Sequence, residues 1–152
     1  HEGLHKNRSC YISEKCVYKN TGSKVRFYEN KKNMELSTIR EFSRQPNEEQ
    51  YEVDTVSLGD LLDEADAPEY IDYLSIDTEG SELEILKSIN WSIREFGVVT
   101  VEHNHGSDRK EIQRLMQTQG YERVWGEISR NEDWFVLSSP APKKPQLSDQ
   151  GA

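Results

Sequence analysis

Six residues near the middle of this 152-residue chain have types and spacing suited to chemistry: Asp77 and Glu79, then Glu102, His103, Asn104 and His105. Clustered carboxylates cannot all stay ionised without a cation or hydrogen-bond donors beside them. Such a set can act as a general base, hold a metal ion, or anchor the polar groups of a substrate. An imidazole next to carboxylates is a second candidate for moving a proton. Plainer roles exist for each. Asp77 or Thr78 can cap the helix that follows, and Glu102 can pair with a Lys or Arg. His103 and His105, two positions apart, would share one face of a strand, a geometry zinc can use. No third ligand is identifiable, and no metal is assigned to them.

The elements that must position these residues are legible around them. Leu74 and Ile76 lie in a brief apolar run of strand length ending at Asp77, the pattern of a parallel strand covered on both faces. Gly80 permits a tight turn. Ser81 with Glu84 three residues on has the capping-box pattern, and Leu83, Ile85, Leu86 and Ile89 form the apolar face of a helix. Val98-Val99-Thr100-Val101-Glu102 is a β-branched run and the best second parallel strand. Ligands of open α/β sheets sit outside the carboxyl ends of the strands. If the two strands are neighbours, both acidic ends open on one edge of the sheet.

Away from that centre, Cys10 to Tyr18 and Lys24 to Tyr28 read as strands joined by a turn at Thr21-Gly22. Asn30 to Pro46 reads as irregular, with Met34, Leu36 and Ile39 pinning it to the core. Tyr51, Val53 and Thr55 alternate with polar residues, as on a half-exposed edge strand. Ser57 with Asp60 caps a short helix carrying Leu61 and Leu62, and Ala67-Pro68 breaks the chain. Ser107 or Asp108 starts a helix with Ile112, Leu115 and Met116 on one face, and Gly120 stands where a C-cap glycine belongs. Tyr121 to Trp125 and Trp134 to Leu137 form a closing antiparallel pair. The expected fold is therefore α/β, a layered sheet with helical crossovers. One domain spans 1–138, and the Pro/Lys/Gln/Ser-rich segment 139–152 is expected to be a disordered tail.

Composition excludes some classes. With 28 Asp+Glu against 19 Lys+Arg and a net charge of -9, the chain lacks the basic footprint of a nucleic-acid binder. No apolar run reaches the roughly 18 residues of a membrane helix. Cys10 and Cys16 match no zinc spacing and read as buried reduced thiols. Trp91, Trp125 and Trp134 read as core or rim packing. The chain starts at His1 with no secretory apolar region behind it. The expectation is a processed or partial chain, cytoplasmic in location.

Ile71-Asp72-Tyr73-Leu74-Ser75-Ile76-Asp77-Thr78-Glu79-Gly80-Ser81-Glu82 resembles the signature of the FkbM-like methyltransferases, an aliphatic strand leading into Asp-x-Glu-Gly-x-Glu. The resemblance extends through Val53 to Leu62 upstream. Downstream it runs through Val101-Glu102-His103-Asn104, Arg109, Ile112, Gly120-Tyr121 and Asp133-Trp134. It covers about residues 8 to 138. It implies a Rossmann-like class I sheet and methyl transfer from S-adenosylmethionine to a hydroxyl of a small molecule, glycan or lipid. Asp77, Glu79, Glu102 and His103 would be catalytic, with Asp77 the first choice of base, and Asn104 and His105 would face the substrate.

None of the nine glycines falls in a Gly-x-Gly pair, so the family's cofactor loop after its first strand has no counterpart here. The segment His1 to Arg8 resembles the end of the family's second helix. The resemblance thus implies a sheet lacking its first two strands and leaves the cofactor-binding residues unassigned, with Asp77 expected to border them. The strand ending at Asp77 would then be an open edge, through which a homo-oligomer could form. Two other classes stand beside this one. One is a non-catalytic binding or oligomerisation module derived from the fold. The other is a metal-dependent hydrolase or cation-binding domain using Asp77, Glu79, Glu102 and His103, and a divalent cation is compatible with the methyltransferase as well.

Overall fold

The computed structural model describes residues 9–29, 37–39 and 49–138. The strands are β1 (Cys16–Tyr18), β2 (Lys24–Glu29), β3 (Thr38–Ile39), β4 (Glu49–Ser57), β5 (Tyr70–Ile76), β6 (Glu95–Glu102), β7 (Tyr121–Val124) and β8 (Glu132–Leu137). The helices are α1 (Leu58–Glu64), α2 (Glu82–Ser88) and α3 (Arg109–Thr118). The strands form two four-stranded sheets, ordered β1-β4-β2-β3 and β5-β6-β8-β7. The fold is mixed α/β, with two sheets and three helices among the described residues. Among the described residues no helix is long and apolar enough to cross a membrane. The expected tail 139–152, the segment His1 to Arg8, and Met34 and Leu36 lie outside the described residues.

The second sheet carries the acidic strand ends. β5 and β6 are parallel and joined through α2, while β8 runs antiparallel to both β6 and β7. One face is core: Val99, Val101 and Phe135 pack with Leu83, Ile85 and Leu86 of α2 and Ile112 and Met116 of α3. Burying side chains of this size contributes about 1.5–3 kcal/mol each, which is what fixes the helices to the sheet. The inward residues of β5 are Ile71, Leu74 and Ile76, opposite Phe96, Val99 and Val101. Both strands thus skip a position, at Asp72 and Gly97. The close approach there demands glycine, because a Cβ on Gly97 would lie 2.9 Å from the Asp72 carbonyl oxygen.

The other face is open. Tyr73 is 51% exposed, and Ser75 and Asp77 are exposed beside it. The expectation of a strand buried on both faces is corrected to a strand covered on one. β5 stands at the end of its sheet, with no described strand on its outer side. Thr100 is nevertheless buried, since Tyr73 shares a 2.8 Å hydrogen bond with its hydroxyl and Trp134 lies opposite it on β8.

The first sheet corrects several expectations. β4 is an interior strand, parallel to β1 and antiparallel to β2, rather than an edge. Its polar Thr55 is buried because its hydroxyl donates to the Asn20 carbonyl at 2.7 Å and holds the Gly22 turn. The strand expected from Cys10 begins only at Cys16; Cys10 is exposed and Cys16 half-buried, and both are free thiols. Ile39, placed in an irregular stretch, is a buried strand residue of β3. Ser57 caps α1 as read, accepting from the Asp60 N–H at 3.1 Å. β1 packs on α1 and α2, so both sheets share one core.

Candidate acidic active site

β5 ends at Ile76 and the chain turns through Asp77 to Ser81 into α2. Glu79 (φ 58°) and Gly80 (φ 127°) are both left-handed, a conformation that costs a non-glycine residue on the order of 1 kcal/mol. The Glu82 carboxylate holds the turn: Oε1 accepts from the Thr78 N–H (2.8 Å), the Thr78 hydroxyl (2.9 Å) and the Gly80 N–H (3.0 Å). The capping box expected between Ser81 and Glu84 does not form. Ser81 precedes the helix at φ -94°, ψ 8°, outside the extended region a capping side chain needs, and its hydroxyl donates to Thr78 instead. From the first sheet, the Thr38 hydroxyl donates to the Glu79 carbonyl at 3.0 Å and steadies the same turn.

The parallel register sets Ile76 beside Val101, and so Asp77 beside Glu102. Carboxylate oxygens of Asp77, Glu79 and Glu102 all lie within 4.8 Å of one another. Burial, then a proton shared with Asp77 and the fields of Asp77, Glu79 and Glu82, push the Glu102 carboxyl up to about 7. At neutral pH this group is poised between acid and base.

His103 is not part of that cluster. After Glu102 the chain turns through Asn104 (φ 39°) and His105 (φ 56°), and the N–H groups of His103 and Asn104 both donate to the Asn131 carbonyl, at 2.7 and 3.2 Å. His103 Nδ1 accepts from the His105 N–H at 3.0 Å, which assigns the ring proton to Nε2. That buried Nε2 makes no hydrogen bond and lies 3.6 Å from the Asp133 carboxylate. Burial and the nearby Arg109 guanidinium push the His103 imidazole below its ordinary value, so it stays neutral at pH 7. Asn104 is half-buried and His105 exposed, its ring edge-on to His103 at 5.2 Å. Among the described residues, no three-ligand group close enough for a metal includes a histidine.

Two features carry roles that the sequence motifs do not assign. The first is Asp133, 1% exposed, which Arg109 grips with Nε and Nη2 (3.0 and 2.8 Å) while Gln113 and Arg123 donate at 2.9 and 2.7 Å. Burial alone would raise its carboxyl, but these donors outweigh it and hold the group well below the usual carboxylate range. The second is a cleft of about 600 Å³ beside the β6–β8 end, lined by Trp125, Ile128, Arg130, Asn131, Glu132 and Trp134. Only Trp91 of the three tryptophans is core packing, edge-on to Phe96 and Tyr121.

S-adenosylmethionine would need a turn of backbone donors for its adenosyl and methionyl groups. No Gly-x-Gly turn occurs in the sequence, and neither Asp77 nor Glu79 lines this cleft or a further cavity of about 520 Å³ near Gln117 and Ser138. Among the described residues no glycine cradle for that donor stands beside the acidic cluster.

The profile of the methyltransferase FkbM domain matches residues 3–123. No curated protein and no solved structure matches significantly. The profile covers both acidic strand ends and the turn at Gly80; Asp133 and Trp134, where a resemblance was also read, lie beyond it. With most of its length matched, the chain belongs to the FkbM methyltransferase domain family.

Proposed function

We propose that this domain takes part in S-adenosylmethionine-dependent O-methylation and that the residues described here form the acceptor side of the site. The observation that carries this reading is the convergence of Asp77, Glu79 and Glu102 at two strand ends, with Glu102 poised near neutral pH. A hydroxyl placed there gives its proton to the Asp77–Glu102 pair, which leaves its oxygen nucleophilic. Holding that oxygen in line is the other half of the work. Glu79 and the Glu82-pinned turn keep the pair in place. In this reading His103, neutral and beside Asp133, positions the loop.

Calorimetric titration with S-adenosylhomocysteine tests the reading, run with and without magnesium because the carboxylate spacing also suits a cation's ligands. Micromolar binding that survives Asp77→Asn, together with loss of methyl transfer in that variant, is the expected result. No binding by the folded chain would overturn the reading for this polypeptide and favour a non-catalytic module of the same family.

A further inference from the structure

We propose that the Trp125–Trp134 cleft is a carbohydrate site that takes a neutral pyranose ring and presents one of its hydroxyls to the acidic cluster. Trp125 is 55% exposed and Ile128 is 75% exposed, although water favours neither. Trp125 is also held at φ 53°, a strained conformation that its packing does not repay with burial. The two indoles stand edge-to-face, 5.5 Å apart at 68°, so one ring makes a floor and the other a wall. Trp134 Nε1 donates to the Glu132 carboxylate at 2.9 Å, which fixes both groups at the cleft.

The lining selects the ligand class. A pyranose has an apolar C–H face that lies on an indole and a rim of hydroxyls that both donate and accept. Glu132 offers an acceptor, Arg130 a donor and Asn131 both. A lipid chain would leave these polar groups without partners. A phosphorylated ligand would meet Glu132 and a chain of net charge -9. At about 600 Å³ the cleft is of small-ligand size.

Its position supplies the link to the chemistry. Glu132 of the cleft is directly opposite Glu102 of the cluster in the β6–β8 register. Such pairs sit about 5 Å apart at Cβ, and a sugar ring spans that distance. Asn131 joins the two places as well, since its carbonyl anchors the His103–Asn104 turn.

Delivery of the hydroxyl rests on the methyl-transfer reading, whereas binding does not, and the test measures binding with no methyl donor present. Saturation-transfer difference NMR on the full chain would use methyl β-D-glucopyranoside, methyl β-D-galactopyranoside and methyl α-L-fucopyranoside, with 1-hexanol as the aliphatic control. The expected result is transfer to the ring C–H protons of at least one pyranoside. Trp125→Ala and, separately, Glu132→Gln should each weaken it about fivefold or more. Trp125 is a surface residue, so its variant should keep the fold, checked by an unchanged circular dichroism spectrum. No transfer to any of the three sugars, an equal response to hexanol, or a signal indifferent to both substitutions would overturn the proposal. Sugar binding without S-adenosylhomocysteine binding would overturn only the methyl-transfer reading.

Discussion

The carboxylates of Asp77 and Glu102 come within 4.8 Å of each other because β5 and β6 are parallel and in a register that ends both strands at one level. Two like charges so placed are held together by the fold, against their own repulsion. Burial and this neighbour keep the Glu102 proton on up to about pH 7, whereas in the unfolded chain it leaves near the ordinary value of 4.5. The folded state thus binds more protons between these values, and stability must fall as pH rises from about 4.5 to 7. Discounted for solvent screening, the loss is on the order of 1 kcal/mol. Glu102→Gln should abolish that slope and melt higher than the parent at pH 8, measured by thermal denaturation across pH.

Asp133 has the opposite linkage. Its carboxyl is depressed by its donors, so the stability it brings is present above about pH 3.8 and lost as pH falls further. Asp133→Asn leaves Arg109 and Arg123 without their anion and should cost about 2–4 kcal/mol in urea denaturation at pH 7. It should also free the His103 imidazole, whose NMR titration would then shift. An Asn variant as stable as the parent would show that the arginines find equal partners in water.

Two glycine-to-alanine changes should move stability in opposite directions. At Gly97 the new Cβ meets the Asp72 carbonyl at 2.9 Å, backbone that must shift, and a loss of about 1–3 kcal/mol is expected. At Gly59, inside α1, the nearest atom is the Ser57 hydroxyl oxygen at 3.9 Å, so alanine fits and should stabilise by about 0.5–1 kcal/mol. Equilibrium unfolding of the pair checks both signs in one experiment.

What could be read in the sequence follows from what is local. The parallel pair β5 and β6, the apolar faces of α2 and α3, and the acids at the strand ends all declare themselves in runs of a few residues. Glu82 did not, because its reach back to Thr78 and Gly80 depends on the left-handed turn at Glu79, which a spacing rule does not contain. The alternation along β4 correctly suggested a strand but mistook its place, since polar side chains such as Thr55 can be buried once a carbonyl is in reach. Asp133 and Arg109 are 24 positions apart and meet only when α3 lies on β8. The Trp125–Trp134 pair is nearer in sequence but forms only when β7 and β8 close into their hairpin. His103 follows Glu102 in the chain, yet its buried ring nitrogen lies 3.6 Å from Asp133, a proximity that spacing does not foretell.

The outer edge of β5 is the last feature with a measurable consequence. Tyr70 and Tyr73 are each about half exposed along it, and no described strand pairs with its outer side. An unpaired edge of this kind recruits another strand. A second copy of the chain brings a second net charge of -9, which opposes the encounter at low ionic strength. Salt screens that repulsion without weakening strand pairing, so self-association should strengthen as sodium chloride rises from about 0.05 to 0.5 M. Sedimentation velocity would show it as a concentration-dependent faster boundary. Tyr73→Asp adds a charge at the edge and removes apolar surface, and should return the chain to a single slow species. A chain that sediments as a monomer at every salt concentration would mean that the edge is covered by something other than a second copy.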